Sequence, residues 1–382
     1  MNILILADAY TRPSFAPRLR YLCDYLVEQR HTIEVYTEKW NTIPFEHDYP
    51  IHELNFYHLG PISWAIKTLY SILTDWKERS FARRILWRTR NQKFDLVFCT
   101  TFSTFPLGAA LRVARSKRLP LHVDIRDVEE QAPGHAYVNH PQWYLRPFAS
   151  LYSHIMRKRR DAVLRAADSI TTVSPWHVDF LRRYNPNVHL IYNGFDPAVY
   201  YPQDITTDTF RIDYIGRLYD FQNIDYILRA IKDLHSQIPE MQVTFYTNGS
   251  AYERLAYSHI STHGFIPLNA VGDAIRRSSI LLVFSNPETN GVMTTKFYEA
   301  LGCEKPVLCT PSDKGILADT IQFTNAGLAS SDLKEIKAFI LDKYAEWKHQ
   351  GFTRQAVSNK DQFNRYIQAQ EFENLLRHIT GL

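Results

Sequence analysis

Short apolar runs recurring between segments of helical period constrain this chain more than any other feature. The first is NILILA; a helical stripe follows, then TIEVYT, all within residues 1–37. A continuous apolar run of that length fits a strand buried on both faces, as in a parallel sheet. Phe15, Leu19, Leu22 and Leu26 recur at steps of four, three and four, which marks a helix with one buried side. Strand, helix and strand make a βαβ unit with a right-handed crossover. The rhythm continues through FDLVFCT, PLGAALRVARS, PLHVDIRD, a long helix over 143–167, SITTVS, PWHVDFLRRY and VHLIYNG.

Prolines and polar residues in PAVYYPQDITTD interrupt the rhythm near 197–208, and a domain boundary is placed there. A second alternation follows: FRIDYIG, a helix over 223–235, QVTFYT, THGFI, a helix over 268–278, ILLVFS, a helix over 294–303, KPVLCT, a helix from 314, NAGLA and a helix over 331–348. The segment 360–379 reads as a helix without a partner strand. The expectation is an α/β protein of two doubly wound, Rossmann-like domains, 1–200 and 201–358, with 359–382 crossing back to the first. Ligands of such sheets bind beyond the carboxyl ends of the strands, so two facing domains enclose a cleft.

Composition narrows the function classes. Four cysteines show no CxxC pair or metal spacing, so buried reduced thiols and no metal site are expected. The apolar start is too short for a signal peptide and no run approaches 18 apolar residues, so the chain reads as cytoplasmic without a membrane span. The charge is uneven. Residues 1–200 hold 26 basic and 19 acidic side chains, the remainder 18 and 21. A basic first half facing an anionic partner is one reading, and a solvated surface the other. From Trp76 to Lys93 stand seven Lys or Arg and one Glu, with Trp76, Phe81 and Trp87 among them; RKRR occupies 157–160. Basic residues mixed with Trp and Phe suit an anionic membrane surface, so peripheral contact with the inner face through 76–93 and 157–160 is expected. Ile62, Ile66, Leu69, Leu73 and Trp76 just before form a helical stripe, and packing of that stripe in the core with the charges simply solvated is the alternative. No RRM, KH or zinc pattern supports nucleic-acid binding.

The motifs that carry chemistry cluster in the second half. DAYTRPSFAP, the first strand-to-helix turn, has no glycine, which weighs against a dinucleotide cofactor cradled there. In GVMTTKFYEALGCEKPVL, Thr294 and Thr295 open a helix that continues with Lys296 and Glu299. Free backbone N–H groups and partial positive charge at a helix start, two hydroxyls and an ammonium together suit a diphosphate. A carboxylate one turn later can accept both hydrogen bonds of a ribose diol. An ordinary capped helix is the alternative. In YIGRL, Gly216 permits close backbone approach and Arg217 can fork onto phosphate oxygens. HGFIP ends another strand in a turn whose amides could read a base edge.

DIRD, NGFDPAVYYP, YIGRL, HGFIP and TTKFYEALGCEKPVL, in this order, resemble the nucleotide-sugar glycosyltransferases of the GT-B fold, glycosyltransferase family 4, and within it the bacterial enzymes of surface-polysaccharide biosynthesis. The resemblance implies a nucleotide-diphosphate sugar as donor substrate with no cofactor or metal, transfer with retention, and a glycan or polyprenyl-phosphate-linked acceptor bound by the first domain. It assigns Arg217 and Lys296 to the diphosphate, Thr294 and Thr295 to helix-start phosphate contacts, Glu299 to the ribose, and Phe265 and Ile266 to the base. Asp127 of DIRD resembles a cleft residue near the reacting sugar or acceptor hydroxyl; a helix N-cap or loop-bracing carboxylate is the alternative. Three positions depart from the pattern. Gly291 stands where the family has a glutamate touching the transferred sugar, with Glu288 the nearby substitute. Gln222 replaces a phosphate-binding lysine. SFAPRLR replaces a glycine-rich loop, leaving Arg18 or Arg20, with Arg126, as phosphate or acceptor candidates. The other readings are a sugar-nucleotide epimerase or hydrolase of the same fold, for which His122, His135 and His140 show no clear acid–base partner, and a non-catalytic sugar-nucleotide-binding protein.

Overall fold

The computed structural model describes residues 1–8, 10, 17–39, 47–56, 70, 73–101, 104–128, 130, 149–285 and 291–382. The chain divides into two compact units, Met1–Tyr192 with Gln368–Leu382, and Asn193–Ile367.

The first unit runs β1 (Asn2–Ala7), α1 (Pro17–Glu28), β2 (Thr32–Glu38), β3 (Ile51–Leu54), α2 (Trp76–Arg88), β4 (Leu96–Thr101), α3 (Leu107–Lys117), β5 (Leu121–Ile125), α4 (Ala149–Ala166), β6 (Ser169–Thr172), α5 (Pro175–Leu181) and β7 (Val188–Leu190). Among the described residues its strands form a sheet ordered β3-β2-β1-β4-β5-β6-β7. Every pairing is parallel. β1 sits mid-sheet with Ile3 to Ala7 fully buried, the environment its unbroken apolar run anticipates. One face packs on Phe81, Ile85, Val113 and Leu164 of the helices. The other packs on α1 and on Ala369, Phe372 and Leu376 of the last helix.

The second unit continues with β8 (Phe210–Ile215), α6 (Asp225–Leu234), β9 (Met241–Tyr246), β10 (Ile260–His263), α7 (Leu268–Arg277), β11 (Ile280–Val283), α8 (Thr295–Gly302), β12 (Val307–Cys309), α9 (Ile316–Phe323), β13 (Gly327–Ala329) and α10 (Leu333–Gln350). α11 (Arg365–Thr380) closes the chain. The second sheet, again parallel, is ordered β10-β9-β8-β11-β12-β13. Because all its strands point the same way, the loops after β8, β10 and β11 emerge at one edge.

Two features differ from the sequence-based expectation. β3 is an additional strand. IHEL is short and half polar because it borders β2 on one side only, so it lacks the apolar run of a central strand. The first unit ends at Tyr192 rather than near 200. Phe195 bridges to Asn364, its amide donating to Phe363 O at 2.8 Å, while Arg365 N donates to Phe195 O at 3.0 Å. That backbone pairing joins 193–200 to the second unit, and no local pattern announces it.

Candidate functional site

The second unit gathers its distinctive residues at the end of β8. Gly216 has φ +130°, and a Cβ there would lie 2.5 Å from Lys296 Cε and 2.9 Å from Nζ. The bare backbone therefore lets the lysine chain of α8 lie against the turn after β8, a close approach open only to glycine. Tyr214, the last-but-one residue of β8, holds both partners. Its ring centroid is 5.3 Å from Lys296 Nζ, and its hydroxyl donates to Arg217 O at 2.7 Å. The turn is braced further: Gly216 N donates to Tyr246 O at 2.9 Å, and Leu218 N donates to Thr247 Oγ1 and Asn248 Oδ1. Arg217 itself is exposed, its guanidinium 5.3 Å from the Tyr219 ring.

Thr294 is the N-cap of α8 in extended conformation, and its side chain makes no capping hydrogen bond. The capped-helix alternative relied on that bond. Thr295 beside it is exposed. Burial lowers the affinity of Lys296 for its proton, and Glu299 opposes that shift. An anion bound here would reverse the penalty. Glu299 is pushed the other way: burial raises its pKa against the pull of Lys296, of Arg365 and of a hydrogen bond with Tyr200. The structure thus brings Gly216 and Lys296 into contact, with Arg217 next to the glycine and Thr294 and Glu299 on the lysine's helix.

Tyr200 and Arg365 are new members, supporting Glu299 from segments far away in sequence. Arg365 is fixed by donation from Nε to Asn193 O at 3.1 Å. Phe265 and Ile266 follow β10 at the same sheet edge, the former 61% exposed and the latter half-buried. Gln222, in the lysine's place, braces the turn: its Oε1 accepts from Tyr219 N at 2.9 Å and its Nε2 donates to Phe284 O at 3.3 Å. Arg254 clamps the same turn through Tyr219 O and Gln222 O.

In the first unit, Asp127 is exposed just beyond the carboxyl end of β5. Arg126 precedes it, its amide donating to Thr101 O at 3.2 Å and its guanidinium lying 3.5 Å from Asp8 Oδ1. Asp8, at the end of β1, also accepts from Thr101 Oγ1 at 3.2 Å. The structure corrects the reading of Arg18. It is buried, ion-paired with Asp124 and donates to Ile191 O, so its charge braces the domain instead of awaiting a phosphate. Arg20 donates to Tyr10 O. His122 is a core residue between Ser169 and Thr171, its pKa pushed down to about 3 by burial. Glu288, His135 and His140 lie outside the described residues.

The expected membrane surface is also redrawn. Phe81 is fully buried and Trp76 packs against the core; of the three aromatics Trp87 is exposed, at 67%. Residues 61–69 lie outside the described residues. In the second basic cluster Arg160 is buried against Glu130 and Asp161, Arg157 lies 3.7 Å from Glu130, and Arg159 lies 3.8 Å from Asp75. Helical period had set these side chains on several faces, and packing consumed the apolar one. No helix among the described residues is long and apolar enough to cross a membrane, and none of their His, Cys, Asp or Glu groups forms a metal-binding cluster.

Two family models match: Glycosyltransferase Family 4 over residues 17–199, and Glycosyl transferases group 1 over 209–343. No curated protein matches the chain. Among solved structures, it is similar to sucrose-phosphate synthase of Thermosynechococcus elongatus, with a TM-score of 0.66, 16% identity and all of both chains covered. HepE of Anabaena in complex with UDP and glucose gives a TM-score of 0.67 at 14% identity, over 98% of this chain and 99% of that one. A putative UDP-N-acetylglucosamine 2-epimerase of Listeria monocytogenes gives 0.63 at 12%, over 100% and 98%. At such identities these likenesses show the fold, and the two family models show the membership. The chain belongs to the glycosyltransferase family 4-like glycosyltransferases, enzymes of GT-B architecture.

Proposed function

We propose that this glycosyltransferase is a retaining, metal-independent enzyme of polysaccharide biosynthesis, moving a sugar from a nucleotide-diphosphate sugar to a glycan or lipid-linked acceptor. The observation that carries the reading is the packing of Lys296 on bare Gly216, beside Arg217 and the uncapped start of α8. In the transfer, the bond between the sugar's anomeric carbon and the β-phosphate oxygen breaks. The acceptor hydroxyl oxygen bonds to that carbon and its proton passes to water. The diphosphate leaves with added negative charge. In this reading Lys296, Arg217 and the amides of Thr295 and Lys296 stabilise that charge, the role that a metal otherwise fills. Glu299 accepts from the ribose diol. Phe265 and Ile266 flank the base, and Asp127 with Asp8 and Arg126 serves the acceptor side. Solved structures of HepE hold UDP or UDP-glucose, and one of MnaA from S. aureus holds UDP, which favours UDP as the first nucleotide to try.

A thermal-shift screen of UDP, GDP, ADP and dTDP, followed by product analysis with the stabilising donor, tests the reading. A nucleotide at 100 times its dissociation constant should stabilise the fold by about 2.7 kcal/mol. Slow release of free sugar without acceptor supports transfer, while a changed sugar still on its nucleotide would indicate an epimerase. If none of the four shifts the melt, or the shift survives Lys296→Ala undiminished, the reading fails.

A further inference from the structure

A concave site lies in the first unit, at the outer edge of its sheet. It is a cleft of about 480 Å³, large enough for a small organic ligand. Its floor is Glu34 of β2, 8% exposed, which accepts from Tyr36 Oη at 2.8 Å and lies 2.8 Å from His52 Nε2. Tyr36 and His52 stack with centroids 4.6 Å apart, so the floor is a fixed aromatic and carboxylate surface. Trp87 and Arg88, the end of α2, form one wall, and Arg90, Asn91 and Gln92 of the following turn complete the lining. That turn is held: Thr89 N and Oγ1 both donate to Ile85 O, and Lys117 Nζ donates to Thr89 O at 2.7 Å. The turn leads into the amino end of β4, the sheet edge opposite that of Asp8, Arg126 and Asp127, so none of the residues proposed for the transfer reaction lines this cleft.

The lining selects a ligand class. An exposed indole offers an apolar plate to the C–H face of a pyranose, and the Arg90 guanidinium already lies 5.3 Å from that ring. Carboxylate, carboxamide and guanidinium groups are planar and directional, which suits the vicinal hydroxyls that ring the same sugar. Arg88 and Arg90 add charge in excess of Glu34, and guanidinium forks pair with carboxylates. A bilayer fits less well, because the site is concave and has a carboxylate at its base. We propose that this cleft binds a carboxylate-bearing sugar residue of a glycan, at a site separate from the donor pocket.

Isothermal titration of the full chain with trigalacturonate, maltotriose as the neutral control, and vesicles of anionic phospholipid tests this. The acidic trisaccharide should bind, and Trp87→Ala and Arg88→Gln should each weaken it by about tenfold or more with the melting temperature kept. Absence of heat with trigalacturonate at millimolar concentration overturns the proposal, as does an affinity unchanged in Trp87→Ala. Equal binding of maltotriose overturns the carboxylate assignment. Trp87-dependent adsorption to vesicles without saccharide binding would make the surface a membrane contact.

Discussion

Replacing Gly216 by alanine puts a methyl carbon 2.5 Å from Lys296 Cε and 2.9 Å from its Nζ, separations no real pair of atoms tolerates. The lysine must leave the turn, and the new side chain must also accept φ +130°. The second demand costs about 1–3 kcal/mol of backbone strain, which in a domain of this size lowers the melting temperature by several degrees. The first removes the cation proposed to face the leaving diphosphate. One such contact is worth about 2.7–4 kcal/mol of barrier, or roughly 10² to 10³ in turnover. Strain and catalysis separate in a double-mutant cycle with Lys296→Ala, measured by transfer rate, nucleotide titration and thermal melt. In the Lys296→Ala background the methyl group meets no lysine, so Gly216→Ala should still lower the melt while adding little to the loss of turnover. Two strictly additive losses of turnover, or a Gly216→Ala enzyme with normal nucleotide affinity, would refute the idea that the glycine exists to seat the lysine.

Lys296→Ala alone should cost two or more decades of turnover with the circular dichroism spectrum unchanged; near-normal turnover removes the lysine from the mechanism. Glu299 is proposed to accept both hydrogen bonds of a ribose diol, which takes the ionised carboxylate because a protonated one keeps one oxygen as a donor, and burial raises its pKa. Nucleotide affinity should therefore weaken on acidification at a pH above the ordinary glutamate range, and Glu299→Gln should bind weakly with a flat profile; a wild-type profile equally flat through that range contradicts the assignment. Glu78 is buried, accepts from Ala109 N at the start of α3, and is raised to about 8, by burial first and then by Asp75. A carboxyl with a raised folded pKa contributes stability that is complete below its unfolded value, 4.5, and lost as pH climbs through 8. Melting temperature should thus fall from pH 6 to 9 in the wild type and fall less in Glu78→Gln; parallel curves would show that Glu78 does not titrate in this window.

Much of the fold was legible because a parallel strand buried on both faces must be apolar throughout, and each helix must carry one apolar stripe. NILILA, FDLVFCT and ILLVFS satisfied the first condition and stand in the middle of their sheets. IHEL failed it because an edge strand has one neighbour. The candidate site was legible for a related reason: Gly216, Arg217, Thr294, Lys296 and Glu299 sit in two short local motifs whose strand ends a parallel sheet must bring together. Arg18 was misjudged because a cation in a loop-to-helix segment looks available until Asp124, on another strand, is known to face it. Trp76 and Phe81 fell likewise, since period tells that a helix has an apolar face without telling what covers it.

The linear chain alone therefore settled the order of the central strands and their helices, the parallel sheets, and which loops share an edge, because hydrophobic periodicity and turn chemistry act over a few residues; the edge strand β3 escaped it. Tertiary structure decided what depends on meetings between distant segments: that Tyr200 and Arg365 support Glu299, that Arg18 and Arg160 spend their charges internally, and that Glu34, His52 and Trp87 enclose a cleft. Burial and pairing of charges are properties of packing, and packing joins residues that no spacing rule connects.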